Sequence, residues 1–496
     1  MMAFNKVTPQ IIERLRAIVG EENVLTALED ITQYGLDEIE ERYRNLPEVV
    51  VKPRTPEEVA AIMKLANEAR IPVTPRGAGT GLSGGAVPLY GGIVLSLERM
   101  NEILEIDHDN MMVTVEPGVV LADMMRAVEA QGLFYPVDVS TLESCHVGGN
   151  VAENAGGARA MKYGVTGHWV CGLEVVTPTG EIVHIGGKRI KDVTGYNLVQ
   201  LLVGSEGTLG IITKIIFRLT VKPKYVLDLL IPFESLDIAV AQVLGLLREV
   251  YGLSAVEFMD SLSIQAAEQY LNMTLPYDDC EAHLLIQIDG MEEEEVWRVA
   301  ERAYQKLIEA GAKEVFVADN RITREKIWRA RREIAEALRA LHRYISVEDI
   351  VVPRAKIPEM VQSIKKIARR HRLVVPVYGH IGDGNLHPTP VADDFDEQTW
   401  ISKLDAFLMD LFCAVRELGG NLTAEHGVGL KRIKYLPLVM SQAEIALMQA
   451  IKKAWDPNGI LNPGKVVVLE EALTQHGSEP LQKWQILGKR EELTKG

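Results

Sequence analysis

The string PRGAGTGLSGG at residues 75–85 constrains the fold more tightly than any other stretch. It holds Gly79-x-Gly81-x-x-Gly84, the spacing of a dinucleotide fingerprint. That fingerprint needs a strand before the glycines and a helix after them, so that the helix N-terminus meets a pyrophosphate. The strand is there, as IPVTPRG. The next segment is AVPLYGGIVLSL, with Pro88 and two more glycines, which reads as another strand. The helix, TPEEVAAIMKLANEAR, comes before the strand, with a Thr cap, Pro at its first position and acids in its first turn. The loop therefore fails the test for a nicotinamide-type site. A glycine-rich connection without a ligand stays open on this loop alone, since glycine is the usual residue of strained turns.

Two further glycine loops narrow that choice. SCHVGGNVAENAGGARAMKYG spans 144–164 and VGSEGTLGIIT spans 203–213. Three such loops in one region carry a large entropy cost unless the backbone must approach something closely. Successive backbone N–H groups suit phosphate oxygens, and Ser83, Thr141, Ser144 and Asn154 offer further hydrogen bonds. A large ligand with a pyrophosphate, threaded between the loops, is the inference.

Residues 8 to about 45 read as helical and polar, beginning with TPQIIERLRAIVG. Short strands and glycine turns then run up to Lys222-Pro223. Beyond it, strands such as YVLDLLIPF and AHLLIQIDG alternate with long amphipathic helices, the pattern of a second α+β unit. We expect an α+β chain divided into an N-terminal helical segment (1–45), a ligand-binding domain (46–222), a second domain (223–467) and a polar tail (468–496). The formal net charge of −16 argues against nucleic acid as a partner. Cys145, Cys171, Cys280 and Cys413 form no C-x-x-C pair, so neither a disulfide framework nor an iron–sulfur cluster is expected. No run approaches the roughly 20 apolar residues of a membrane span, and the N-terminus has no signal-peptide pattern. These features read as a cytoplasmic protein.

A second constellation lies late in the chain. VYGHIGDGNLHPTP places His380 and His387 on either side of a Gly-Asp-Gly turn, and NLTAEHGVG adds Glu425 and His426. Two imidazoles and a carboxylate make a three-ligand set that leaves positions open on a metal. Spacing alone also allows the histidines simply to cap their turn.

Together, PRGAGTGLSGG, PVDVSTLESCHVGGNVAENAGGARAMKYG, LLVGSEGTLGIIT and the late DPNGILNPGK resemble the FAD-linked D-2-hydroxyacid dehydrogenase family. That family includes D-lactate dehydrogenases, D-2-hydroxyglutarate dehydrogenases and the glycolate oxidase catalytic subunit, within the vanillyl-alcohol-oxidase or p-cresol-methylhydroxylase superfamily. The resemblance runs from about residue 45 to 467. It implies a two-subdomain FAD-binding domain, then a cap domain with an antiparallel sheet, then a C-terminal return to the flavin. By this resemblance Pro75, Arg76, Gly77, Ala78, Gly79, Thr80, Gly81, Leu82, Ser83, Gly84 and Gly85 wrap the FAD pyrophosphate. Pro136, Asp138, Thr141, Ser144, Gly148, Gly149, Asn154 and Gly156 line the flavin, followed by Arg159, Tyr163 and Gly164. Glu206, Gly210 and Ile212 lie toward the adenine end, and Asn462 reaches the flavin from the C-terminus. Some superfamily members link FAD to a His or Cys, and Cys145 and His146 lie in the flavin loop.

The resemblance also makes His380, His387 and Glu425 divalent-metal ligands, for zinc, iron or manganese, and His426 the catalytic base. A metal holds the substrate's carboxylate and hydroxyl, His426 takes the hydroxyl proton, and the carbon-bound hydrogen leaves as hydride to the flavin. Arg331 and Asn385 match substrate-contacting positions. Members with a dicarboxylic substrate carry a Thr four residues after that arginine and a Lys further on, where this chain has Ala335 and Val347. A small monocarboxylate such as D-lactate or glycolate is therefore expected. Reduced flavin needs a separate acceptor, by resemblance an iron–sulfur subunit, electron-transfer flavoprotein or quinone chain. Homodimer and hetero-oligomer both stay open, with membrane association only through a partner. The competing readings are another flavoenzyme of the fold (D-2-hydroxyglutarate dehydrogenase, ether-lipid synthase, sugar oxidase) or a non-catalytic FAD-binding subunit.

Overall fold

The computed structural model describes residues 4–276 and 279–469. The tail expected at 468–496 lies outside them apart from its first two positions.

Apolar β-branched runs build the first sheet. Val49–Val51, Ile93–Ser96 and Val73–Arg76 are parallel, with Ile93–Ser96 in the centre. Val49–Val51 and Ile93–Ser96 are buried throughout, as parallel strands covered on both faces must be. The helix Pro56–Ala69 makes the crossover. The Thr55 side chain accepts from Glu58 N at 3.3 Å, and the helix ends at Arg70 in a left-handed conformation. The N-terminal segment departs from the helical expectation after Val19. The helix Pro9–Val19 stops at Gly20, whose φ of +88° favours glycine. Val24 and Leu25 then pair antiparallel with Val51 and Val50, so this segment supplies an edge of the first sheet.

The second sheet is antiparallel, in the order Ile103–Asp107, Met112–Val115, Ile211–Arg218, Val170–Val176, Ile182–Gly186. Val113, Val115, Leu173, Val175, Ile215 and Phe217 fill its core. All three glycine loops leave the strands of these two sheets or lie between them.

After residue 222 a seven-stranded antiparallel sheet begins. Its order is Phe316–Ala318, Tyr225–Phe233, Ala282–Gly290, Leu253–Asp260, Val377–Gly379, Asn385–Pro388, Ile350–Val351. Helices Leu236–Glu249, Glu293–Glu309, Ile357–His371 and Glu397–Glu417 pack on one face. Helices Ser261–Leu271, Arg321–Arg332 and Ile334–Leu341 pack on the other. The chain then returns to the first sheet: Val73 N donates to Ile460 O at 2.8 Å, and Asn462 N to Val73 O at 2.7 Å. The expected two-subdomain module, antiparallel cap and C-terminal return are all present. No helix among the described residues is long and apolar enough to cross a membrane.

Candidate active site

All three glycine loops and the cap hairpin wall one open cavity. Of the residues expected at a cofactor, Pro75, Arg76, Gly77, Ala78, Gly79, Thr80, Gly81, Leu82, Gly85, Asp138, Thr141, Gly148, Gly149, Gly156, Glu206, Gly210 and Ile212 line it. Two details show why glycine is required. Gly79 has φ +78°, and a Cβ there would sit 2.0 Å from Arg76 Nη2. At Gly149, by contrast, a Cβ would meet no described atom within 4 Å and would only take space from the cavity. A cradle that must admit a ligand against its backbone has this signature.

Several expected residues lie outside the lining. Ser83 O accepts from Leu430 N and Lys431 N at 2.9 and 3.0 Å, and Gly84 packs on Ile39 and Leu430. This half of the loop holds the C-terminal segment in place. Pro136 is buried, and Ser144 is exposed, with its hydroxyl donating to Thr141 O. Asn154 caps its helix in a left-handed conformation and accepts from Gly167 N at 2.7 Å. Arg159 Nε donates to Gln287 at 2.9 Å and the Tyr163 hydroxyl to Asp289 at 3.0 Å, so both bridge to the cap sheet. Gly164, at φ +79°, makes room for His168. Asn462 donates to Gly85 O and Glu206 O at 2.9 and 2.8 Å, joining two loops from behind the lining. Cys145 is buried in the second core, whereas His146 lines the cavity.

At the cap end the cavity is lined by His380, His387, Glu425, His426 and Arg331. The hairpin Val377–Gly379 with Asn385–Pro388 brings the first two imidazoles to 5.4 Å between centroids. Three Nε2 atoms converge on Glu425 Oε1: His380 at 3.2 Å, His387 at 3.4 Å and His426 at 3.6 Å. Two ligands each about 2.0–2.2 Å from one ion lie roughly 3–3.5 Å apart, the separation of Glu425 from His380 and His387; the donors that all lie within 4.8 Å of one another are those of Asp349, His387, Glu425 and His426, without His380. The other ring nitrogens face supports. His380 Nδ1 is 2.8 Å from Glu257 Oε1, and His387 Nδ1 is 3.2 Å from Glu348 O. Such partners fix the tautomer and turn Nε2 toward the ligand position.

Charges are balanced within the cluster. Burial raises the Glu425 carboxyl, but His380 and His387 outweigh it and hold the group well below the usual range. Burial lowers His380, and Glu257 with Glu425 reverses this, leaving it well above an ordinary imidazole. His426 differs: burial dominates and pushes it down to about 4, which leaves a neutral imidazole at neutral pH. Glu425 and His426 lie in a turn, not a strand, and this lets adjacent residues reach one cluster.

Two carboxylates that sequence reasoning missed organise this arrangement. Asp349 is fully buried, and its Oδ2 accepts from Thr423 Oγ1 (2.6 Å) and from the backbone N–H groups of Ala424, Glu425 and His426 (2.9, 2.9 and 2.8 Å). Its Oδ1 accepts from Asn385 Nδ2 at 2.8 Å. Asn385 therefore supports the cluster from behind and does not line the cavity. Asp349 also lies within 4.8 Å of donors on His387, Glu425 and His426, but its oxygens are already committed to these donors. Glu257, also fully buried, joins His380 to Arg331, whose Nη2 is 2.8 Å from Glu257 Oε2. Arg331 Nε makes no hydrogen bond to any described residue. The signal for Glu257 was an acid in the middle of the apolar strand SAVEFMD, since such a charge is almost never buried unpaired.

The cluster and the cradle share one loop. Glu206, in the third glycine loop, accepts from Val428 N and Gly429 N, both at 2.7 Å, just after His426. It thus faces the cap loop as well as the cavity.

Residues 47–186 match the model described as "FAD binding domain", and residues 222–466 match "FAD linked oxidases, C-terminal domain". The chain is 40% identical to the glycolate oxidase subunit GlcD of Bacillus subtilis over 465 residues, covering 93% of this chain and 97% of that protein. It is 39% identical to a D-lactate dehydrogenase of Anaerostipes hadrus (93% and 98% covered). It is 33% identical to a D-2-hydroxyglutarate dehydrogenase of Stutzerimonas stutzeri (92% and 99%). Among solved structures, p-cresol methylhydroxylase shares the fold at a TM-score of 0.77 with 20% identity, covering 93% of this chain and 96% of that one. With its glycine-lined cavity and these relatives, the chain belongs to the FAD-linked oxidase family of glycolate oxidase GlcD subunits and D-lactate dehydrogenases, and it is an FAD-dependent oxidoreductase.

Proposed function

We propose that the protein oxidises a small 2-hydroxy monocarboxylate, D-lactate or glycolate, to the 2-oxo acid. FAD occupies the glycine-lined cavity, and a divalent cation (zinc, iron(II) or manganese) is held by His380, His387 and Glu425. The observation that carries this reading is the convergence of three imidazole Nε2 atoms on Glu425 Oε1 at one end of that cavity. When bound, FAD supplies a two-electron acceptor and the cation supplies Lewis-acid charge for the substrate oxygens.

The protein's own side chains do the rest. Arg331 grips the substrate carboxylate with the part of its guanidinium that Glu257 does not hold. Asp349 lies 4.0 Å from His426 Nδ1, which favours a proton there and leaves Nε2 to accept the substrate hydroxyl proton. Trp328, Ala335, Val347 and Tyr378 make an apolar wall beside Arg331, a fit for a methyl or a hydrogen on the substrate carbon. The one observation favouring a dicarboxylate is Arg332, which also lines the cavity, although its Nη2 is held by Glu325 at 2.5 Å. Electrons pass to a separate partner, in keeping with the subunit names of the relatives and with four cysteines scattered along the chain.

The test is anaerobic bleaching of the flavin in the metal-loaded holoenzyme by D-lactate, L-lactate, glycolate and D-2-hydroxyglutarate. Bleaching by D-lactate or glycolate, faster than by the dicarboxylate, is expected. No bleaching by any 2-hydroxy acid would sink the proposal.

A further inference from the structure

The first glycine loop is not closed by its own module. Residues 33–40, upstream of the matched FAD-binding segment, cross it from outside. Arg76 donates to Leu36 O at 2.9 Å and to Gln33 O at 3.4 Å, while Glu38 N donates to Gly81 O at 2.9 Å. Ile39 packs where a Cβ on Gly84 would stand. The far end is fixed to the cap, because Ser346 donates to Glu40 and Lys431 lies 3.5 Å from it.

These contacts hold Asp37 in the cavity wall, 7% exposed. Its Oδ1 accepts one long bond, from Ile39 N at 3.4 Å, and its Oδ2 accepts none from any described residue. The neighbouring cations are engaged elsewhere. Lys465 donates to Val87 O at 2.6 Å and to Asn462 Oδ1 at 3.2 Å, and Arg76 is turned to the carbonyls above. A buried carboxylate oxygen without a donor needs an explanation; Asp138 Oδ1 and Glu153 Oε2 share this state on the cavity wall, and Asp37 Oδ2 lies against the first glycine loop, 3.7 Å from where a Cβ on Gly81 would stand. FAD is the ligand for which this cavity is built, an assignment on which this inference rests. Its phosphates only accept, whereas its sugar hydroxyls donate.

We infer that Asp37 is an FAD-binding residue, its Oδ2 accepting a hydrogen bond from a sugar hydroxyl next to the diphosphate. The N-terminal segment is then part of the cofactor site. Burial pushes Asp37 up to about 6, against the lowering effect of Lys465, Arg76 and the backbone N–H groups of Ile39 and Ala86. The rival account makes Asp37 an internal counter-charge to Lys465.

Full-length Asp37→Ala, Asp37→Asn and Glu40→Gln would be stripped of FAD and titrated with FAD by fluorescence, with melting of each apo form measured alongside. Asp37→Ala should weaken FAD about tenfold or more, Asp37→Asn less because its amide oxygen still accepts, and Glu40→Gln by under about twofold, with apo melting unchanged for both Asp37 variants. If Asp37→Ala does not fold, Asp37→Asn against Glu40→Gln carries the same comparison. FAD binding at parental affinity by the Asp37 variants, or lost affinity matched by lost apo stability, would overturn the inference. A parent chain that takes up no FAD overturns the cofactor assignment together with this one.

Discussion

At Gly77, Gly79, Gly81, Gly148 and Gly149 the cavity wall is main chain, whereas at the cap end it is imidazole, carboxylate and guanidinium. The two ends of one cavity answer different demands. A long cofactor needs close approach along its length, which only residues without a Cβ permit. A small substrate needs a few directed charges, which only long polar side chains supply, and each buried charge then needs a partner of its own. The cap end consequently rests on a buried support of Glu257, Asp349 and Asn385.

If that contrast holds, removing a support should damage the cap end while leaving the cradle intact. The largest effect is expected for Asp349→Asn, which puts an amide among the four donors that meet Oδ2. Disrupting such a buried charged acceptor costs about 3–5 kcal/mol. We expect turnover to fall by a factor of about 100 or more while the flavin stays bound, checked by steady-state rates with a dye acceptor and by the flavin spectrum. Next is Glu257→Gln, which loses charge beside both His380 and Arg331. A loss of about 10–100-fold in metal affinity or kcat/KM is expected, measured by metal competition and by the shift in KM.

The converse test acts on the cradle. A Cβ at Gly149 enters only the cavity, whereas a Cβ at Gly148 would meet Pro117 at 2.5 Å. Gly149→Ala should lower FAD affinity by about tenfold with the apo melting point unchanged, and Gly148→Ala should lower the melting point itself. Titration and melting of both variants separate the two. Equal melting points would break the claim that one glycine serves the ligand and its neighbour the fold.

The same contrast explains what could be read from the chain. The glycine strings and the His-x6-His spacing are local, so their place in the cavity was visible in sequence. Asp349 and Glu257 reach their partners across 76 and 123 positions, and no local pattern announces those partners. Arg159 and Tyr163 sit in the flavin loop by sequence but face Gln287 and Asp289, because the cap sheet packs against that loop. The N-terminal segment reads as helical because its polar residues suit a helix. Gly20 and the pairing of Val24 with Val51 decide otherwise.

The smallest effect should come from a buried acid outside both ends. Burial pushes Asp260, which accepts from Ser263 N and Val377 N, up to about 6. A raised folded pKa gives stability that is complete below the unfolded value of about 3.9 and is lost as pH rises through 6. The melting point of the parent relative to Asp260→Asn should therefore drop by about 1–3 °C between pH 4.5 and 7, with the flavin spectrum unaltered. A constant difference across that range would remove Asp260 from the pH response.

The most direct test of the central claim is to strip the divalent metal from the FAD-loaded enzyme with a chelator, record the flavin spectrum, and then add D-lactate or glycolate anaerobically before and after restoring metal. The expected result is an unchanged flavin spectrum on stripping, no bleaching by substrate, and bleaching once metal returns. Bleaching at the same rate in the stripped enzyme would contradict the account.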